Sequence, residues 1–332
     1  LIMATYKEIK GTQIEVLATD PSNPVEGQVW YNTTSNVLKG STLTAAGAWA
    51  TANSRNAAMR HFFGTGNVPT TITAGGQNTP GAQSGVTEIF DGTSWTEVSD
   101  LNTSRAYAGM SGDSTAAIAT GGQAPGSGAL TELWNGSGWT EVNDLNTSRF
   151  SATGAGSSTS ALAIGGRVSP PNIANTEQWN GTNWTEVNDL NQARAKASSQ
   201  GIVTAAVIAG GEPGPGGALT ELWNGSNWTE VNDLNTDRAS SGSTAGSDYT
   251  SFLVFGGSPP PGPPTVKANT EQWNGTNWTE VADLATARLA LGGSGSGSTS
   301  ALAFGGTPPD NVTTTEQWTG AGAVQTRTFT DS

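Results

Sequence analysis

Short apolar runs recur along this chain, each closed by a pair of glycines. Ala116–Ala119, Ala161–Ile164, Ala205–Ala209, Phe252–Phe255 and Ala301–Phe304 lead to Gly121-Gly122, Gly165-Gly166, Gly210-Gly211, Gly256-Gly257 and Gly305-Gly306, and Gly75-Gly76 makes a sixth pair. Four or five apolar residues in succession predict strands covered on both faces. Each pair is followed within about a dozen residues by Thr-Glu. In the second to fifth copies this leads into Trp-Asn-Gly-x-x-Trp-Thr-Glu-Val and, ten residues after the second Trp, an Arg. In the third copy the pattern places strands at Phe150–Gly154, Ala161–Ile164, Asn175–Trp179 and Trp184–Val187, with a turn at Gly156-Ser157-Ser158. Asn180-Gly181 between the last two predicts a type I′ hairpin turn, because this dipeptide accepts positive φ at both central positions. Asp91-Gly92, Asn135-Gly136, Asn224-Gly225 and Asn274-Gly275 are its counterparts.

Measured between Arg55, Arg105, Arg149, Arg194, Arg238 and Arg288, the units run from 44 to 50 residues. That is the period of a four-stranded propeller blade and too long for a leucine-rich or ankyrin repeat. Units two and four share Gly-Ala-Leu-Thr-Glu-Leu-Trp, whereas three and five share Ala-Asn-Thr-Glu-Gln-Trp, which suggests duplication of a two-blade module. The first unit has Ile89-Phe90 in place of the Trp strand, and the sixth lacks the second Trp. Its final strand is expected at Ala323–Phe329, with Trp49-Ala50-Thr51 able to add an edge. The expected fold is an all-β, six-bladed propeller over residues 51–332, with a small N-terminal β-hairpin arm over residues 1–50. In the arm, Gly27–Tyr31 and Asn36–Lys39 flank Asn32-Thr33-Thr34-Ser35. A lone hairpin is marginal in water, so Val29, Trp30, Tyr31, Val37 and Leu38 are the expected anchoring contacts.

Charged residues make up only 12% of the chain while Gly, Ser, Thr and Asn are plentiful, which suits short strands and tight turns. The net charge of −13 comes without any Lys/Arg cluster, which argues against nucleic acid as a partner. Cysteine is absent, so disulfides, thiolate nucleophiles and Cys-based metal sites are excluded. No apolar run approaches a transmembrane span, and residues 1–20 lack the basic-then-apolar order of a signal peptide. The expected product has no signal peptide and does not insert in a membrane.

Gly-Gly, an aromatic in the third strand, Trp in the fourth and Arg at the junction together resemble the kelch repeat over residues 55–330. The wording Asn-Thr-Ser-Arg, Ser-Ala-Leu-Ala-Phe-Gly-Gly and Thr-Glu-Gln-Trp-Asn-Gly-Thr-Asn-Trp-Thr-Glu-Val is similar to kelch-like proteins of marine tailed phages, including those of cyanobacteria. The segment Glu26–Lys39 is similar to short hairpins of phage virion proteins. The resemblance implies a virion location, with synthesis in the host cytoplasm without a signal peptide.

In an up-and-down blade the junction Args and the loops after Gly-Gly share one face, and the Asn-Gly turns lie on the other. The start of the first blade and the end of the sixth are expected on the loop face. Those loops hold 13 of the 16 prolines and vary between repeats. Proline lowers the entropy lost when a loop is ordered, so they suit a recognition surface carrying Gln77, Asn78, Gln123, Arg167, Glu212, Lys267 and Asp310. The bland reading is drift of repeat loops. Six Args near the channel invite an anion ring, but pairing with the recurring acids Glu132 and Asp144, or Glu177 and Asp189, is the simpler expectation. Eight Trps in regular pairs read as inter-blade packing; Trp30 and Trp49, outside the repeat, read as partner contacts. Asn-x-Ser/Thr sequons such as Asn183-Trp-Thr coincide with repeat turns.

His61 is the only histidine and has no identifiable triad partner, so the chain reads as no enzyme, with no catalytic residue, metal or cofactor. The expectation is a phage virion protein for adhesion, in a tail fibre (receptor binding, host attachment) or on the capsid surface, recognising host surface glycan or protein. Its arm would join other virion proteins or its own copies as a homo-oligomer, for example a trimer. The alternative is a purely structural decoration or assembly protein; a third reading is a glycan hydrolase using Glu212 with Asp310.

Overall fold

The computed structural model describes residues 14–21, 28–43, 46–123, 128–212, 217–260, 265–307, 310–321 and 324–329. Apart from one 3-10 turn at Val68–Thr70, the regular elements among them are strands. The chain forms two compact units, Ala48–Thr319 and Leu1–Gly47 with Gly320–Ser332.

The larger unit contains six four-stranded antiparallel sheets. The third consists of Thr153–Ser157, Ser160–Ile164, Thr176–Trp179 and Trp184–Val187, paired in chain order. The first strands of the sheets neighbour one another in a closed cycle that returns from Gly292–Gly297 to Phe63–Thr65. Apolar second strands pack between neighbouring sheets: Ile118 meets Ala161, Ala163, Trp179 and Trp184 in one buried cluster. This arrangement is a β-propeller.

Thr-Glu recurs because each of its residues binds a different neighbour. The Thr hydroxyl accepts the indole N–H of the following sheet's outer Trp: Trp139 reaches Thr87, Trp184 reaches Thr131, Trp228 reaches Thr176 and Trp278 reaches Thr220. The Glu carboxylate takes the junction Arg, as in Arg149–Glu177 at 2.5 Å and Arg238–Glu271 at 2.7 Å, with both partners buried. Arg55–Glu88, Arg105–Glu132, Arg194–Glu221 and Arg288–Glu316 repeat the pair. The recurring Asp binds backbone and not Arg, since Asp144 and Asp189 accept the N–H of Thr131 and Thr176.

Four expectations are corrected. The sixth sheet is closed by Ala48–Ala52, while Val324–Thr328 pairs with Lys39–Leu43 in the small unit. The reason is Trp49: it lies opposite Trp318, and its indole reaches Thr270 at 3.0 Å, supplying the second Trp that the sixth repeat lacks. Trp49 is therefore a packing residue of the propeller. The chain consequently enters this unit at Ala48 and leaves at Thr319, paired, at the end where other sheets carry their Asn-Gly turns, and not on the loop face. Nor is the Asn-Gly turn of type I′. Trp179 pairs with Trp184 across the four-residue loop 180–183, only Gly181 has positive φ, and Asn180 Oδ1 accepts N–H bonds from Thr182 and Asn183.

The smaller unit holds one sheet in the order Glu15–Leu17, Val29–Asn32, Val37–Leu43, Val324–Thr328, parallel at the first pair and antiparallel thereafter. The hairpin expected to stand alone is its middle. Register puts Val29, Tyr31 and Leu38 on one face with Val16, whereas Trp30 and Val37 lie on the other. Trp30 is fully buried and donates to Asp20 at 3.0 Å, so it is no free contact residue.

Candidate functional site: the axial mouth

Two residues past each junction Arg, the backbone takes a conformation that side chains disfavour. Tyr107, Ser151, Lys196, Ser240 and Ala290 have φ between 54° and 59°, and His61 takes the same role at 52° after five intervening residues. A residue other than glycine held there costs about 1–3 kcal/mol and persists only where its surroundings impose it. Here the constraint is a ring. Tyr107 N–H donates to His61 O (2.9 Å), Ser151 to Tyr107 (2.7 Å), Lys196 to Ser151 (2.9 Å), Ser240 to Lys196 (3.0 Å), Ala290 to Ser240 (2.8 Å) and His61 to Ala290 (3.0 Å). Six backbone hydrogen bonds thus circle the axis on the loop face. The residue before each ring member bridges to the residue just after Gly-Gly: Arg60 to Gln77, Ala106 to Gln123, Phe150 to Arg167, Ala195 to Glu212, Ala239 to Ser258 and Leu289 to Thr307.

Side chains diverge at these positions, as they do in the loops after Gly-Gly, while the strands stay regular. The ring members line a cavity of about 140 Å³ whose deeper wall carries Ser198, Ser199, Ser241 and Ser243. Chemistry is concentrated on one arc. His61 stacks on Tyr107 at 4.2 Å and 23°, and Phe150 stands edge-on to Tyr107 at 6.3 Å. The Arg167 guanidinium lies 6.0 Å from the Phe150 ring centre. Glu212 accepts both Arg167 Nη2 at 2.6 Å and Lys196 Nζ at 2.8 Å, and Asn172 ties Arg167 Nε to the Glu212 carbonyl. Burial, and then the charges of Arg60 and Lys196, push His61 down to about 3, so the imidazole is neutral at pH 7. Burial also raises the Tyr107 phenol. The opposite arc, Ser240 and Ala290, is small and uncharged.

Of the residues expected on a recognition surface, Gln77, Gln123, Arg167 and Glu212 occupy the bridge positions beside the ring. Asn78 follows with its Oδ1 buried and without a partner. Lys267 instead bonds Asp237 O at 3.0 Å, and Asp310 is exposed on its loop. Glu212, considered in a carboxylate pair with Asp310, is held by two cations, Arg167 and Lys196. The ring residues His61, Tyr107, Ser151, Lys196, Ser240 and Ala290 were outside the expectation, as was Arg60. The sequence offered only a weak signal: the two residues after the junction Arg, Ala106-Tyr107, Phe150-Ser151, Ala195-Lys196, Ala239-Ser240 and Leu289-Ala290, differ between units two to six.

No family model matches the sequence, and no curated protein matches it. Among solved structures the chain is similar to YjhT, a β-propeller, with a TM-score of 0.65 and 13% identity, over 82% of this chain and 99% of that one. At this identity the likeness is one of fold.

Proposed function

We propose that the chain is a six-bladed, kelch-like propeller that binds a ligand at its axial mouth without turning it over, as an adhesion module of a phage particle. Each four-stranded sheet is read as one blade. The observation that carries the binding reading is the ring of strained backbone whose side chains differ while its backbone geometry repeats. Strain of this kind clusters at ligand sites, and a concave, pre-formed mouth with a few convergent polar groups is what recognition needs. Within the larger unit, the chain enters and leaves at the Asn-Gly end of the sixth sheet, opposite the loop face that carries the mouth. The virion location, in tail fibre or capsid, rests on the wording of the repeats and of the hairpin. Val29, Tyr31 and Leu38, with half-exposed Phe329 and largely exposed Val16 beside them, favour a contact with other virion chains or with its own copies. A decoration protein held by that face is the second reading.

The test compares binding of host-cell surface glycan by the full chain with that of Tyr107→Asn and, on the turn face, Thr182→Ala. Loss in Tyr107→Asn with binding kept in Thr182→Ala is the expected result. Reducing-end release is followed in parallel. Binding lost through the turn-face change alone, or steady release of reducing ends, would overturn the mouth or the non-enzymatic assignment respectively.

A further inference from the structure

The mouth is electropositive on an acidic chain. Its arc carries Arg60, Arg167 and Lys196 against the single carboxylate of Glu212, three charges minus one, while the whole chain carries −13. All three charged neighbours Arg60, Arg167 and Glu212 act on Tyr107, so they share one locality. The Glu212 carboxylate is shared between two cations, which leaves positive charge uncompensated. Lys196 has three N–H donors, lines the cavity, and spends one donor on Glu212. Burial is the main cause of the lowered His61 titration, and the charges of Arg60 and Lys196 add to it, which places both cations beside the ring.

Three further features narrow the ligand. At about 140 Å³ the cavity is well below the roughly 300–1,000 Å³ of ordinary ligand pockets, so it suits one ring-sized group and not a length of polymer. Its wall is rich in hydroxyls, and Ser151 Oγ, in a residue only 6% exposed, has no hydrogen-bond partner. A buried polar atom left unpaired is costly and wants a donor or acceptor from a ligand. At the rim, the stacked Tyr107 and His61 add an aromatic wall. Serine hydroxyls, an aromatic wall and the Lys196 ammonium line one cavity, a set that matches a sugar ring bearing an acid.

Resting on the mouth-binding reading above, we propose that the site takes one carboxylate-bearing sugar residue, its hydroxyls toward Ser151 and the serine wall and its carboxylate toward Lys196. Calorimetry on the full chain tests this with D-glucuronate, D-glucose, acetate, inorganic phosphate and a polyglucuronate. Glucuronate is expected to bind about tenfold or more tightly than glucose or acetate, the scale of one charge-assisted hydrogen bond. Lys196→Asn, chosen because Asn tolerates positive φ, should erase that preference while leaving the melting temperature in place. Polyglucuronate binding more tightly than the monosaccharide assigns the sugar to a glycan; equal or weaker binding assigns it to the free acid, and either outcome supports the inference. Equal binding of glucose through Tyr107 overturns the anionic assignment but leaves the mouth as the site. Equal binding of acetate or phosphate reduces the site to a simple oxyanion site and overturns the inference. Binding of glucuronate unchanged in Lys196→Asn overturns it too, and absence of binding by every sugar overturns the mouth reading with it.

Discussion

The carboxylate of Glu177 accepts four donors: Asn146 N at 2.7 Å, Asn146 Nδ2 at 2.8 Å, Thr147 N at 3.1 Å and Arg149 Nη2 at 2.5 Å. A buried charge is tolerated when it is paired and fully hydrogen-bonded, and this one knots the link between two sheets. The Args and their acids were legible in the sequence because both recur at fixed spacing; the division of labour between Glu and Asp was not, since either acid satisfies the spacing. Trp184 shows the same economy, 5% exposed and bonded to Thr131 of the neighbouring sheet. Trp184→Ala is expected to cost about 3–5 kcal/mol of stability, read as a lowered denaturation midpoint; an unchanged midpoint would mean the indole carries no inter-sheet packing. His61 offers a pH test. Its folded pKa of about 3 lies below the unfolded value near 6.5, so the unfolded chain binds a proton that the folded chain refuses. The stability tied to neutral His61 is complete above about pH 6.5 and is lost as pH falls toward 3. Melting of the wild-type chain should therefore drop more between pH 7.5 and 4.5 than that of His61→Asn. Parallel curves would show that His61 titrates as a free imidazole.

Among the elements, the strands of repeats two to five could be placed from turn residues and apolar runs, while the sixth sheet was assigned the wrong outer strand. The sequence 323–329 has the alternation of an edge strand, and nothing local separates it from Ala48–Ala52. What decides is a contact between distant residues: the Trp49–Trp318 pair, with ring centres at 5.5 Å, and the Trp49 indole on Thr270. First strands were also placed early, at Phe150 in the third unit, because the positive φ of Ser151 is imposed by its neighbours around the axis and leaves no local mark. Truncation tests the element. A chain of residues 46–321 keeps the closing strand and is expected to melt cooperatively near the temperature of the full protein. A chain of residues 54–321 loses Trp49 and leaves Thr315–Thr319 as a bare edge, so its melting should broaden or fall by calorimetry. Equal melting of the two would show that Ala48–Ala52 does not hold the sixth sheet, and unfolding of both would make the small unit part of the propeller's stability.

At the scale of the molecule, six repeats and a propeller were readable because period and turn chemistry repeat, whereas the mouth was not, because a ring is a property of closure and no single repeat contains it. Closure has a further consequence through the pairing at the two ends of the larger unit. Leu43 lies opposite Val324 in one sheet, and Ala48 lies opposite Thr319 in the other, so the incoming and outgoing strands run side by side on both sides of the boundary. In chain topology the whole propeller is thus the loop of a β-hairpin whose stems are Val37–Leu43 and Val324–Thr328. Chains accept inserted domains where entry and exit lie together. In chain topology the propeller is in that sense a cassette, an insertion whose two ends meet the rest of the chain at paired strands, so its replacement by a short turn would leave the hairpin Val37–Leu43 and Val324–Thr328 with an ordinary connection.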